Sequence, residues 1–177
     1  MRLFASLLTV LLLFSHQVFA ASSQEINAKA NQALKEFYRH SPAGKELISK
    51  AAGVLVFPEV YKAGFGIGGE YGEGALRVGG KTVAYYNVAS ASIGFQLGAQ
   101  IKSEIILFMS QDALKHFRNS DGWEAGVDGS VAIATLGAGG EIDSNTIQQP
   151  IIGFIFSNKG LMYNLSIEGS KISQIAR

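Results

Sequence analysis

The sequence predicts an α+β fold, with N-terminal helices packed on a strongly curved antiparallel β-sheet or partial barrel and one helix inserted mid-body. Two observations carry this. Glycine is segregated: residues 24–52 hold one, and residues 53–177 hold the other twenty. Apolar residues recur every three or four positions before Gly53 and every second position after it, which are the helical and strand periods.

The N-terminus is read first as an export signal. Arg2 gives a positive start, and Leu3 to Phe14 is an uncharged, mostly apolar run. Val18-Phe19-Ala20 then offers a cleavage site after Ala20. Twelve apolar residues rise about 18 Å as a helix, too little for a hydrocarbon core of about 30 Å. No cysteine follows the run, so there is no thiol to acylate. The expectation is a cleaved signal over residues 1–20, a periplasmic or secreted address, and a single domain over residues 21–177.

A first helix is predicted from about Ser23 to His40, with Ile26, Ala30, Ala33, Leu34 and Phe37 on one stripe. Ser41-Pro42 then caps and opens a second, short helix to about Ala52, with Leu47, Ile48 and Ala51 inward. Val54 to Phe57 reads as a short buried strand stopped by Pro58. Ile93, Phe95, Leu97, Ala99 and Ile101 define one apolar strand face. Trp123, Ala125, Val127, Val131 and Ile133 define another, as do Leu161, Tyr163, Leu165 and Ile167. Ser157-Asn158-Lys159-Gly160 reads as a hairpin turn. Ser110 caps the inserted helix, which places Ala113, Leu114 and Phe117 on one side.

Composition excludes several functions. Lys and Arg number 15 against 14 Asp and Glu, and loss of Arg2 balances them. There is therefore no global basic field for nucleic acid. With no cysteine there is no disulfide, thiol nucleophile or thiolate metal site.

Gly64-Phe65-Gly66-Ile67-Gly68-Gly69 fits the dinucleotide pattern G-x-G-x-x-G, but Glu70-Tyr71-Gly72-Glu73-Gly74 cannot open the helix that pattern needs. A strand with its glycines on one face and Phe65 and Ile67 on the other fits better. The glycines then admit tight curvature or a close neighbour. His40 and His116 sit on predicted helices beside basic residues, and no G-x-S-x-G elbow is present. Asp121, Glu124 and Asp128 read as a solvated sheet face and Asp143-Ser144-Asn145 as a turn, rather than calcium ligands. No catalytic residue, cofactor or metal is expected.

The stretches Ala52 to Pro58 and Lys62 to Gly72 resemble the signature of the SYLF domain, also called the Ysc84 domain. Ser92-Ile93-Gly94-Phe95-Gln96-Leu97-Gly98 resembles its S-x-G-x-Q-x-G strand. Gly160 to Tyr163 and Ser166 to Gly169 resemble its closing segment. The ordered set spans about residues 25–175. The motif positions carried over as structural are Gly53, Pro58, Gly64, Gly66, Gly68, Gly69, Gly72, Gly94, Gln96 and Gly98.

The resemblance implies a non-enzymatic module. Eukaryotic members are associated with phosphoinositides and actin, and exported bacterial members with lipid. Export separates this chain from actin, so that activity is not carried over. The family's membrane contact is a basic amphipathic N-terminal segment, which here corresponds to Lys29, Lys35, Arg39, Lys45 and Lys50. The expected function is binding of an anionic phospholipid or membrane surface in the bacterial cell envelope. The competing readings are a small outer-membrane β-barrel, an envelope partner-binding protein with an apolar groove, and an enzyme with an unmarked site.

Overall fold

The computed structural model describes residues 21–135, 142, 144–160, 167 and 169–177, without side-chain detail at 66, 93–97, 135, 144 and 157–160. The signal and most of the strand expected around Tyr163 lie outside the described residues.

Two helices open the chain, α1 (Ser23–His40) and α2 (Pro42–Lys50). Each is capped by a serine, the second by Ser41 as the sequence predicts. Ser22 Oγ accepts from the Glu25 amide, and Ser41 Oγ accepts from the Gly44 amide. The stripe Ile26, Ala30, Ala33, Leu34 and Phe37 is buried. Phe37 meets Phe154 edge-on at 4.9 Å and Phe156 at 5.4 Å. Together with Val54, Val56, Ile105 and Leu107 these residues form a core layer between the helices and one sheet face. Asn27 adds a polar anchor: its Nδ2 donates to Tyr85 Oη, and its Oδ1 accepts from Thr82 Oγ1, both at 2.7 Å.

The sheet is built on two long antiparallel strands, β1 (Gly53–Val78) and β2 (Lys81–Phe108). Pro58 does not stop the first strand, contrary to expectation. It sits at a register shift between Phe57 and Val60, so the missing amide costs one ladder position and the strand continues. The Pro58 carbonyl accepts from Ser103 Oγ at 2.7 Å. α3 (Gln111–Asn119) follows, capped by Ser110, with Leu114 and Phe117 buried. Then come β3 (Trp123–Glu124), β4 (Ala132–Thr135), a one-turn α4 (Ser144–Ile147), β5 (Ile151–Gly160) and β6 (Lys171–Ile175). The strand order is β3-β6-β2-β5-β4, with β1 also paired to β2. The sheet curls into a half-barrel.

The β1–β2 ribbon folds over on itself, and this sets the curvature. Beyond Phe65 the register slips: two steps along β1, from Phe65 to Ile67, face four along β2, from Leu97 to Ile93. Gly98, at the slip, has φ 140°, a backbone region that other residues rarely enter. The outer half of β1 therefore lies against its inner half. A Cβ on Gly72 would stand 2.8 Å from the Glu59 carbonyl oxygen, and one on Gly74 would strike the Val56 carbonyl.

Several expectations are corrected. Residues 157–160 are the end of β5 and not a turn. Lys159 pairs with Ile101 and Gly160 with Gln100, after a shift opposite Ile101 and Ser103. The polar run follows a bulge and does not reverse the chain. One pair is parallel: β4 runs with β5. Residues 123–133 are not one strand, because the Gly126 amide bonds the Gly129 carbonyl and Val127 projects from the resulting loop. Asn145 lies in α4 rather than a turn. The face of β2 near residue 100 is inverted: Gln100 is 2% exposed and Ile101 is 38% exposed. Gln100 lies on the interior side that continues to Ile106 and Phe108, which belong to the main core.

Candidate functional site

The five basic residues singled out from the sequence have three different environments. Lys29 is committed within the fold: Nζ lies 2.9 Å from Glu25 Oε1 and 2.9 Å from Glu59 Oε2. Those hydrogen bonds, that to Glu59 first, hold its pKa well above the usual lysine value. Lys50 pairs with Glu46 at 2.6 Å, which lowers the Glu46 pKa. Lys45 lies 5.8 Å from the centre of the Tyr38 ring, within cation–π range. Lys35 and Arg39 are exposed and four residues apart on α1, so they share a helix face. No ion pair involves Lys35, Arg39 or Lys45 among the described residues. The apolar stripe of α1 is spent on the sheet, so its outward face is polar apart from Ala28.

A second cluster was missed from the sequence. Lys62, Glu70, Gln100, Lys102 and Glu104 are all buried. Lys62 and Gln100 are direct cross-strand partners, and Gln100, Lys102 and Glu104 follow at alternate positions of β2. Glu70 arrives from the far side of the fold-over. Its Oε2 lies 3.1 Å from Lys102 Nζ and 3.9 Å from Lys62 Nζ. Lys102 Nζ is also 2.7 Å from Glu104 Oε1.

Burial pushes the Glu104 pKa up to about 7, against the pull of Lys102. Burial alone would lower Lys102, but Glu104 and Glu70 outweigh it and the net shift is upward. Glu70 Oε1, Glu104 Oε2 and both polar atoms of the Gln100 amide have no hydrogen-bond partner among the described residues. Only one signal in the sequence points to this cluster: a polar run at every second position, continued on the same face by Ile106 and Phe108.

A groove of about 430 Å³ opens between the first turn of α1 and the outside of β1. Tyr61 and Tyr71 line it, each donating to a carboxylate, Glu59 at 3.1 Å and Glu73 at 2.8 Å. Arg177 pairs with Glu73 at the same place. At the bend itself Phe65 is 82% exposed and Ile67 is 72% exposed.

The motif positions differ in what surrounds them. Gly53 faces Leu114 of α3, where a Cβ would come within 2.6 Å of Cδ1. Pro58 makes the bulge. Gly64 approaches Gly68, 2.9 Å from its Cα to the Cβ position. Gly72 admits the inner half of β1, whereas Gly69 has only the Ser90 carbonyl at 3.9 Å. Gly66, Gly94 and Gln96 lie in β1 and β2, but their side-chain surroundings fall outside the description. The glycine-rich run is strand throughout, so no helix terminus meets a phosphate there.

The remaining candidates do not converge. His40 is exposed, and the His116 Nε2 lies 3.2 Å from the Asp128 carbonyl. Asp128 Oδ2 accepts from the Glu124 amide and so shapes the loop, in place of sharing a strand face with Glu124. Among the described residues no three His, Asp or Glu side chains group as metal ligands.

No curated protein matches the chain. The family model described as "Ysc84: Las17-binding protein actin regulator" matches residues 89–176. That match begins beyond the glycine-rich stretch at 53–74 and takes in most of β2 and everything after it except Arg177. The family is one of binding modules rather than a known enzyme family. On the strength of that match, residues 89–176 are assigned to the Ysc84 (SYLF) family.

Proposed function

We propose that the chain is a non-enzymatic module of the bacterial cell envelope that binds an anionic phospholipid surface through its two N-terminal helices. The observation that carries this reading is the exposed cation set Lys35, Arg39 and Lys45, which form no ion pair among the described residues. Because the apolar stripe of α1 is packed on the sheet, the contact made by the helices is peripheral and electrostatic rather than insertive. Each lysine or arginine near an anionic leaflet contributes about 1 kcal/mol. Three of them give weak, salt-sensitive attachment.

The outer-membrane barrel fits less well. Val54, Val56, Ile105 and Leu107, which a barrel would turn to lipid, lie under α1 and α2. A partner-binding protein with an apolar groove in its interior also fits less well, because Gly72 and Gly74 bring opposite walls of β1 into contact there.

Co-sedimentation of the exported protein with vesicles tests the proposal. Pelleting is expected with phosphatidylglycerol vesicles at low salt and is lost at about 0.5 M salt, where the Debye length is only a few ångströms. Equal pelleting with phosphatidylcholine, or none with either, overturns it.

A further inference from the structure

Glu70 is an unusual partner for two lysines. It lies beyond the fold-over of the β1–β2 ribbon, while Lys62 and Lys102 lie before it. One carboxylate oxygen, Oε2, takes both ammonium groups, and the other, Oε1, has no partner among the described residues. Gln100 stands directly across from Lys62 and two residues from Lys102, with its amide donor also lacking a partner among the described residues. A carboxylate thus fills a place that holds two cations and a spare donor, and it leaves part of that place unsatisfied. A buried ion pair contributes little net stability compared with apolar packing, so stability does not account for the arrangement.

We propose that Lys62, Lys102 and Gln100 form a seat for a phosphate or phosphodiester group, which the Glu70 carboxylate occupies while the ribbon is folded over. A phosphodiester matches the seat better than the carboxylate does. It carries the same single charge, and its two non-bridging oxygens with two ester oxygens can take both lysines and the Gln100 amide. Lys102 keeps Glu104 at 2.7 Å when Glu70 leaves, so the exchange strands no buried charge.

The means of exchange lies in the same ribbon. The register slip and the Gly64–Gly68 contact make the bend, and Phe65 and Ile67 stand exposed on it. Seating those two side chains in an apolar phase would draw the outer half of β1, and Glu70 with it, away from the lysines. This deepens the lipid-binding reading and rests on it for the source of the phosphodiester.

The test is Glu70→Gln, which keeps the shape and removes the competing charge. With phosphatidylglycerol vesicles, E70Q is expected to reach half-saturation at about one-tenth of the wild-type lipid concentration. E70Q/K62Q is expected to lose that gain. Titration of E70Q with inorganic phosphate separates the two sources. A rise in melting temperature that E70Q/K62Q lacks assigns the seat to phosphate in general. A gain seen only with vesicles assigns it to a headgroup at a bilayer.

An E70Q protein that melts like wild type and shows neither gain overturns the seat. If E70Q does not fold, K62Q alone carries the test, since Lys62 lies at the rim of the cluster. A three- to fivefold loss of vesicle binding is then expected, and no loss overturns the proposal. Wild-type pelleting with an unaltered E70Q defeats only the seat. No pelleting by any variant, with phosphate still stabilising E70Q, defeats only the surface reading.

Discussion

The carbonyl oxygen of Glu59 lies 2.8 Å from where a Cβ would stand on Gly72, a residue of the same strand. Thirteen residues of an extended strand would span about 43 Å. The contact therefore means that β1 turns over and packs against itself. The inner and outer halves of β1 enclose the apolar core at one end, with Leu55, Phe57 and Leu76, and the buried charges at the other.

Gly74 should tolerate substitution least. A Cβ there meets the Val56 backbone oxygen and the Phe57 ring, and backbone cannot rotate aside. Overpacking of this kind costs about 1–3 kcal/mol. Gly74→Ala is expected to lower the melting temperature by roughly 3–10 °C, using about 2–4 °C per kcal/mol for a chain of this size. Gly69→Ala, with only the Ser90 oxygen at 3.9 Å, is the control and should stay within about 2 °C of wild type. Paired thermal melts decide it.

Stability should fall between pH 5 and pH 8 because of Glu104. The unfolded side chain titrates near 4.5 and the buried one at about 7. Between those values the folded chain keeps a proton that the unfolded chain has released. The stability from this group is therefore full below about 4.5 and is lost as pH rises through 7. Lys102, with its pKa raised, contributes stability below 10.5 that is constant across this window. One pKa unit is worth about 1.4 kcal/mol, so a fall on the order of 5 °C in melting temperature is expected between pH 5 and pH 8. Glu104→Gln should flatten that slope whatever it does to the absolute stability. A wild-type curve that rises across the window would contradict the assignment.

What the sequence revealed and what it concealed divide along physical lines. The helices were legible because their signals are local: a Ser cap, a Pro in the first turn, and a stripe at helical spacing that ends at Phe37. Pro58 misled because proline forbids one ladder bond, and a bulge absorbs that loss where a neighbour such as Ser103 satisfies the carbonyl. The inward turn of Gln100, Lys102 and Glu104 was not legible. Alternation identifies two faces of a strand but does not say which is inside. Here the charges that accompany the interior face come from Lys62, a cross-strand partner, and from Glu70, which the fold-over brings into reach. The glycine run was read correctly as strand, yet its contact partners, thirteen and eighteen residues back at Glu59 and Val56, are set by tertiary structure alone.

Phe37 should be the anchor of α1. It is fully buried and packs on Phe154 and Phe156. Phe37→Ala removes a large side chain from a closed layer, and such changes cost about 3–5 kcal/mol. The expected result is early exchange of the α1 amides in hydrogen–deuterium exchange, with β2 and β5 protected longer. Uniform loss of protection across helix and sheet would show instead that the helical layer and the half-barrel unfold as one unit.

Lys29 and Lys35 lie six residues apart on one helix, and their charges should not count equally at a membrane. The field of Lys29 is cancelled locally by Glu25 and Glu59, each at 2.9 Å. A second anion must compete with two carboxylates already in place. Lys35 and Arg39 have no such ion pair among the described residues and project from the side of α1 away from the sheet. Lys29→Gln is therefore expected to leave binding to phosphatidylglycerol vesicles within about twofold of wild type. It should also cost no more than about 1 kcal/mol of stability, as partly exposed pairs do. The triple change Lys35→Gln, Arg39→Gln, Lys45→Gln removes about three surface interactions of about 1 kcal/mol each. It should weaken binding by two orders of magnitude at low salt while leaving the melt unchanged. Vesicle titrations of the two variants side by side give the answer. A larger loss from Lys29→Gln than from the triple variant would move the contact surface from the outward face of α1 to its edge beside Glu59.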